Sequence, residues 1–379
     1  MNPLFEKLLG EASQLTHRGK LAEATTAIQR ALLGNALAPQ GASDATVLDG
    51  LVREVPRAKI RPARLRRSMP VPNGRPMHER PETAPADGAS FESGSYTGGS
   101  GTRAYKLFVP AGHGGQALPL IVMLHGCTQS PDDFAAGTRM NEIAQERGFL
   151  VLYPAQAPRS NQSKCWNWFA PGDQRRGAGE PELLAGMTRH IVATHDIDPA
   201  RIFVAGLSAG GAMADILGRE YPDLFAAVGV HSGIPHGAAH DVASAFSVMS
   251  SGASSMRGGA APARAGGAPT IVFHGDADGT VHPGNGVGVI AAALRSAGAV
   301  GSVATTSTAT VGGRPVTQTV HRRGGAASGE PSLAEHWVLH GGGHAWSGGS
   351  PAGSYADARG PDASREMVRF FTEHPLRRT

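Results

Sequence analysis

From about Ser90 onward the apolar positions of this chain fall into two alternating rhythms. Unbroken apolar runs at Leu118–Leu124, Phe149–Tyr153, Ile202–Ala205, Ala226–His231, Thr270–His274 and Glu335–Leu339 read as buried strands. Tyr105–Val109 alternates as an edge strand does. Between these runs, Met140–Arg147, Glu182–His195, the segment after Ser208, Asn285–Ala297 and Asp362–Thr372 carry helical spacing, with Asp198-Pro199 as a turn before the strand at Ile202. Such alternation predicts an α/β domain over 90–379, with a mostly parallel sheet and helices on both faces. Functional groups then belong at the carboxyl ends of the strands. The stretch Pro235–Gly267, rich in Ala, Ser, Gly and Met, falls between two strands and reads as a candidate lid or as a surface excursion.

Ahead of this domain the pattern changes. Leu4, Phe5, Leu8 and Leu9 form one apolar stripe, and Leu21, Ala24, Ile28, Ala31 and Leu32 a second, so residues 1–34 predict a helical hairpin. One helix pair cannot bury its own face and must dock on another surface. Residues 35–89, rich in Pro, Gly, Ala and Arg with little periodicity, predict a linker.

Composition narrows the classes. The net charge of +4 is modest and its basic residues concentrate partly in Arg53–Arg67, with no basic stripe interleaved with aromatics, so no nucleic-acid partner is expected. No segment is apolar enough to span a bilayer, and the N-terminus carries acidic residues where an export signal has its apolar core. The chain as written therefore reads as cytoplasmic, with a secreted or periplasmic setting if a leader has been removed. No metal-ligand spacing, phosphate loop or dinucleotide fingerprint is present, so neither metal nor cofactor is expected. The sequence leaves the oligomeric state open.

The candidate chemistry lies in Gly206-Leu207-Ser208-Ala209-Gly210, between a strand and a helix. There a sharp turn lifts a serine hydroxyl toward a base and toward N–H donors, and side chains at 206 and 210 would collide. On such a sheet the partners follow in the order acid, then histidine. The loop after Thr270–Phe273 offers Asp276 and Asp278, of which Asp278, further into the loop, is better placed to turn back to the histidine. The glycine run Gly341-Gly342-Gly343 favours His344 over the nearby His336 and His340. The tetrahedral intermediate needs two N–H donors, assigned to Ala209 and to Cys127, with Thr128 or Gln129 as alternatives for the second. His125, Thr128, Gln129, Trp166, Trp168 and Trp346 are the candidate substrate contacts, although Trp166 and Trp168 suit packing equally well. The two cysteines, Cys127 and Cys165, form a candidate disulfide worth roughly 3–4 kcal/mol in the chain-entropy account, the alternative being two buried thiols.

The motifs LHGCTQ, CWNWF with PGDQ after it, AGLSAGG, FHGDAD and GGGHAWSGG, in that order over roughly Ser90–Phe371, resemble the polyhydroxybutyrate depolymerase family of esterases. That family is related to feruloyl and acetyl-xylan esterases. The resemblance implies an α/β-hydrolase fold, ester cleavage by Ser208, Asp278 and His344, and an oxyanion donor at Cys127. Secreted polymer-degrading members carry a leader and often a polymer-binding domain, and neither is seen here. Short-chain, hydroxyalkanoate-oligomer or aryl (feruloyl-type) esters are thus the expected substrates. Acyl transfer on the same residues is the second reading. The third is a non-catalytic, granule-associated protein that binds through its N-terminal helices.

Overall fold

The computed structural model describes residues 88–112, 115–253, 266–299, 302–325 and 330–376. The expected N-terminal hairpin and nearly all of the linker lie outside the described residues. So do 254–265 within the candidate lid.

Ten strands form one sheet. In chain order they are β1 (Ser90–Gly98), β2 (Gly101–Val109), β3 (Leu118–Leu124), β4 (Leu150–Pro154), β5 (Ile197–Leu207), β6 (Ala227–His231), β7 (Thr270–Gly275), β8 (Val303–Val311), β9 (Arg314–Arg322) and β10 (Ala334–Leu339). They lie in the order β1-β2-β4-β3-β5-β6-β7-β10-β9-β8. The central six, β4 to β10 in that order, pair in parallel. An antiparallel hairpin flanks them at each edge. A two-stranded ladder, β11 (Trp346–Ser347) with β12 (Ala356–Asp357), lies outside the sheet.

The central strands are apolar throughout because both faces are covered. Along β3, Leu120, Val122 and Leu124 join one buried cluster, while Ile121 and Met123 join the other. The first cluster receives helices α3 (Gly179–Thr194), α4 (Ala209–Glu220), α5 (Val242–Ser251) and α6 (Gly284–Ser296). The second receives α1 (Pro131–Thr138), α2 (Met140–Arg147) and α7 (Ala363–Thr372). This is the expected α/β-hydrolase architecture. No described helix is long and apolar enough to cross a membrane.

Some elements differ from expectation. Asp198-Pro199 sits within β5 at a register irregularity against β3, where Asp198 Oδ1 accepts from Ala200 N at 2.9 Å. Pro235–Gly267 contains α5, started by a capping box between Asp241 and Ser244. Other elements are additional to those expected, among them α1, which Ser130 caps and Pro131 opens, and the β8–β9 hairpin.

Candidate active site

Ser208 stands where β5 hands over to α4. Its backbone is held at φ 57° and ψ −121°, which non-glycine residues occupy only under constraint. Ser208 N donates to His231 O and Ser208 O accepts from Ala212 N, both at 2.9 Å. A Cβ on Gly206 would strike the backbone of Gly210, and one on Gly210 would strike Leu124 O and His125 O. Gly206 is therefore required by the tightness of the turn itself, and Gly210 by the turn's closeness to the end of β3.

The loops after β7 and β10 are laced together. Asp276 N donates to Leu339 O at 3.2 Å and Ala277 N to Gly342 O at 3.0 Å. Within this lacing Asp278 Oδ2 accepts from His344 Nδ1 at 2.8 Å, and Oδ1 accepts from Thr280 N and Val281 N at 2.9 Å each. Burial alone would push this carboxyl up, but the His344 hydrogen bond and charge and the two backbone donors outweigh it, leaving a value of about 2. An ionised Asp278 keeps the proton on Nδ1 and leaves Nε2 free to act as a base.

The rival residues are occupied differently. Asp276 Oδ2 pairs with His340 Nδ1 at 2.8 Å, and Nε2 of that ring meets Thr317 Oγ1 at 2.8 Å. His336 lies within β10, and its buried Nε2 has no hydrogen-bond partner among the described residues.

His231, which the sequence reading did not single out, joins the serine turn to the histidine loop. Its carbonyl holds Ser208 N, and its Nε2 accepts from Ser347 N at 3.1 Å. The ring stacks between Phe273 and Trp346. Burial, with His274 and His344 nearby, pushes it down to about 3. The ring is thus neutral at physiological pH, with its proton on Nδ1 beside Ser232 Oγ at 3.2 Å. Its position at the carboxyl end of β6 was the available signal. Among the described residues Ser208 Oγ has no hydrogen-bond partner. Hydrogen bonds among catalytic groups are often long or misaligned before substrate binds, so this open hydroxyl is compatible with the role expected of Ser208.

Two backbone donors are uncommitted near the serine. Ala209 N opens α4, where a first-turn N–H has no partner within the helix. In the loop after β3, Thr128 N is spent on Ser163 O at 2.6 Å and Gln129 N on Gly126 O at 3.4 Å. That leaves Cys127 N free among the described residues. A Cβ on Gly126 would lie 3.5 Å from Ser208 Cβ, so this loop adjoins the serine turn.

The expected substrate contacts fare less well. Trp166 and Trp346 are fully buried and Trp168 nearly so. Trp166 Nε1 donates to His125 O at 3.1 Å and Trp346 Nε1 to Ser364 Oγ at 3.0 Å. These rings are packing residues, with no face left for an acyl group. His125 is buried as well: Nδ1 meets Gly126 O at 2.7 Å and Nε2 accepts from Gln156 N at 3.1 Å. Burial pushes its imidazole down to about 4. Gln129 is spent on Gly126 N and Asp133. Of the six, Thr128 alone is exposed.

Cys127 and Cys165 are bridged. The bridge ties the loop bearing Cys127 to the Trp166 segment, which is further held by Gln156 Nε2 on Cys165 O at 2.9 Å and by Glu180 on Asn167 N at 2.7 Å. Closing the 38-residue loop contributes about 4 kcal/mol in the chain-entropy account. Replacing Cys165 with Ser is expected to lower the unfolding free energy in a urea titration by about that amount. An unchanged midpoint would show that the bridge adds nothing.

The Esterase PHB depolymerase family matches residues 103–314. Poly(3-hydroxyalkanoate) depolymerase C of Paucimonas lemoignei is 36% identical over 185 residues, which cover 47% of this chain and 44% of that protein. Feruloyl esterase B of Neurospora crassa is 34% identical over 127 residues, covering 33% of this chain and 42% of that protein. The chain thus spans less than half the length of either relative. An acetyl xylan esterase from Aspergillus awamori shares the fold, with a TM-score of 0.54 at 18% identity over 74% of this chain and 99% of that one.

Proposed function

Given that the chain belongs to the esterase PHB depolymerase family, we propose that it is a serine carboxylic ester hydrolase acting through an acyl-enzyme. His344 Nε2 takes the Ser208 proton as Oγ attacks the ester carbonyl, and the Ala209 and Cys127 N–H groups receive the oxyanion. The imidazolium, stabilised by Asp278, then protonates the departing alcohol. Water, activated by the same imidazole, cleaves the acyl-enzyme, releasing the acid and restoring the serine. The observation that carries this reading is the 2.8 Å Asp278–His344 pair, delivered by loops that a single buried histidine links to the strained Ser208 turn.

Short-chain esters, hydroxyalkanoate oligomers and aryl esters are the proposed substrates. The Cys127–Cys165 bridge suits an oxidising compartment, which favours a secreted or periplasmic setting. A hydrolysis panel of p-nitrophenyl butyrate, hydroxybutyrate oligomers, methyl ferulate and acetylated xylan tests the substrate class. Turnover of the butyrate with at least one natural-type ester is expected. A protein inert toward all four is not an esterase of this kind.

A further inference from the structure

With the tryptophans buried, one aromatic among the described residues remains open to a ligand beside the base. Tyr355 is 46% exposed, and its ring stands edge-on to the His344 imidazole with centroids 6.3 Å apart and planes at 79°. Its backbone lies at φ 50°, a left-handed conformation that glycine adopts freely and an aromatic residue only under constraint.

The constraint is built from both halves of the site. Tyr355 O accepts from Trp346 N at 2.7 Å, two residues past His344. The preceding Ser354 is held by Asp133 of α1, at 2.9 Å through its N–H and 2.5 Å through its hydroxyl. Gln129, in the Cys127 loop, donates to Ser354 O at 3.1 Å. The ring's place is thus set by the loop carrying the candidate oxyanion donor on one side and by the histidine loop on the other. Backbone strain at a residue that leaves nearly half of its surface in solvent is the kind of outlier that clusters at active sites and ligand clamps.

Direction follows from the chemistry. The imidazole must hand its proton to the departing alcohol, so the alcohol half of the ester passes on the His344 side while the acyl half stays on Ser208. A ring against His344 meets the alcohol half. We propose that Tyr355 is the leaving-group contact of this site, a wall that favours esters of flat aromatic alcohols. The proposal rests on the esterase reading and refines its substrate class.

Phenyl acetate and methyl acetate share an acetyl-enzyme and differ only in the alcohol. Tyr355→Gly, which also relieves the backbone constraint, is expected to lower kcat/KM for phenyl acetate roughly tenfold more than for methyl acetate. Tyr355→Phe should restore the wild-type ratio. The loss should be confined to acylation, so the acetyl-enzyme, read by its partition to hydroxylamine, should deacylate alike in all three proteins. An equal loss on both esters, or slowed deacylation in the Gly variant, would mean that Tyr355 acts only by steadying His344 and would overturn the proposal. A wild type inactive on both esters would overturn the esterase reading, and this one with it.

Discussion

Ser208→Ala is expected to lower ester turnover by about a million-fold while leaving the fold intact. Without the hydroxyl no acyl-enzyme forms, and what remains is the catalysis of bound ester by the N–H donors alone. Structural damage is not expected, because Ser208 Oγ has no hydrogen-bond partner among the described residues to lose. The strained backbone at φ 57° is held by His231 O, Ala212 N and the glycines around it, none of which the substitution touches. Initial rates on p-nitrophenyl butyrate and a thermal melt read the two quantities separately. Turnover above about a hundredth of wild type, with an unchanged melt, would place the nucleophile elsewhere.

Asp278→Asn should cost about ten-thousand-fold in kcat. The amide can turn an N–H toward His344 Nδ1, which then accepts and leaves Nε2 protonated and unable to take the serine proton. Asp276→Asn, two residues away, is the contrast. Its pair with His340 is about two-fifths exposed on both sides, so water screens it, and roughly fivefold or less is expected. Asp278 also leaves a mark on acid stability. Its folded-state value of about 2 lies below that of a free carboxylate. The stabilisation is therefore complete above about pH 4 and is lost as the pH falls toward 2. An acid titration of unfolding should lack this limb in the Asn variant. Equal activity losses at 276 and 278 would mean that the histidine is oriented by the whole loop rather than by one carboxylate.

Which parts of this arrangement the chain discloses depends on how local their causes are. Leu118–Leu124 and Met140–Arg147 were readable to the residue because an apolar run bounded by polar turns and a 3.6-residue rhythm are local signals. The β8 strand was not, since its Val-Ala-Thr-Thr-Ser sequence is exposed almost throughout and carries no buried stripe. The Gly312-Gly313 turn, with both residues at positive φ, was the overlooked cue to that hairpin. The Gly-x-Ser-x-Gly turn is legible because its glycines answer to close backbone contacts that always accompany such a bend. The choice among Cys127, Thr128 and Gln129 depends on where each N–H is spent, which only the folded loop reveals. The choice between packing and substrate contact for the tryptophans is hidden for a related reason. An aromatic in a loop can face solvent or core, and Trp166 and Trp346 face the core because each indole N–H finds a buried acceptor. Tyr355 gave no sequence cue, its place being set through the adjacent Ser354 by Asp133 and Gln129, 221 and 225 residues before Ser354 in the chain.

The proposed activation of the Ser208 hydroxyl by the His344 imidazole can be read with a fluorophosphonate probe, without reference to any substrate. Peptide mapping after labelling should find a single adduct on Ser208, absent from Ser208→Ala and sharply slowed in Asp278→Asn. An adduct on any other residue, or an unlabelled Ser208 in the folded wild-type protein, would contradict it.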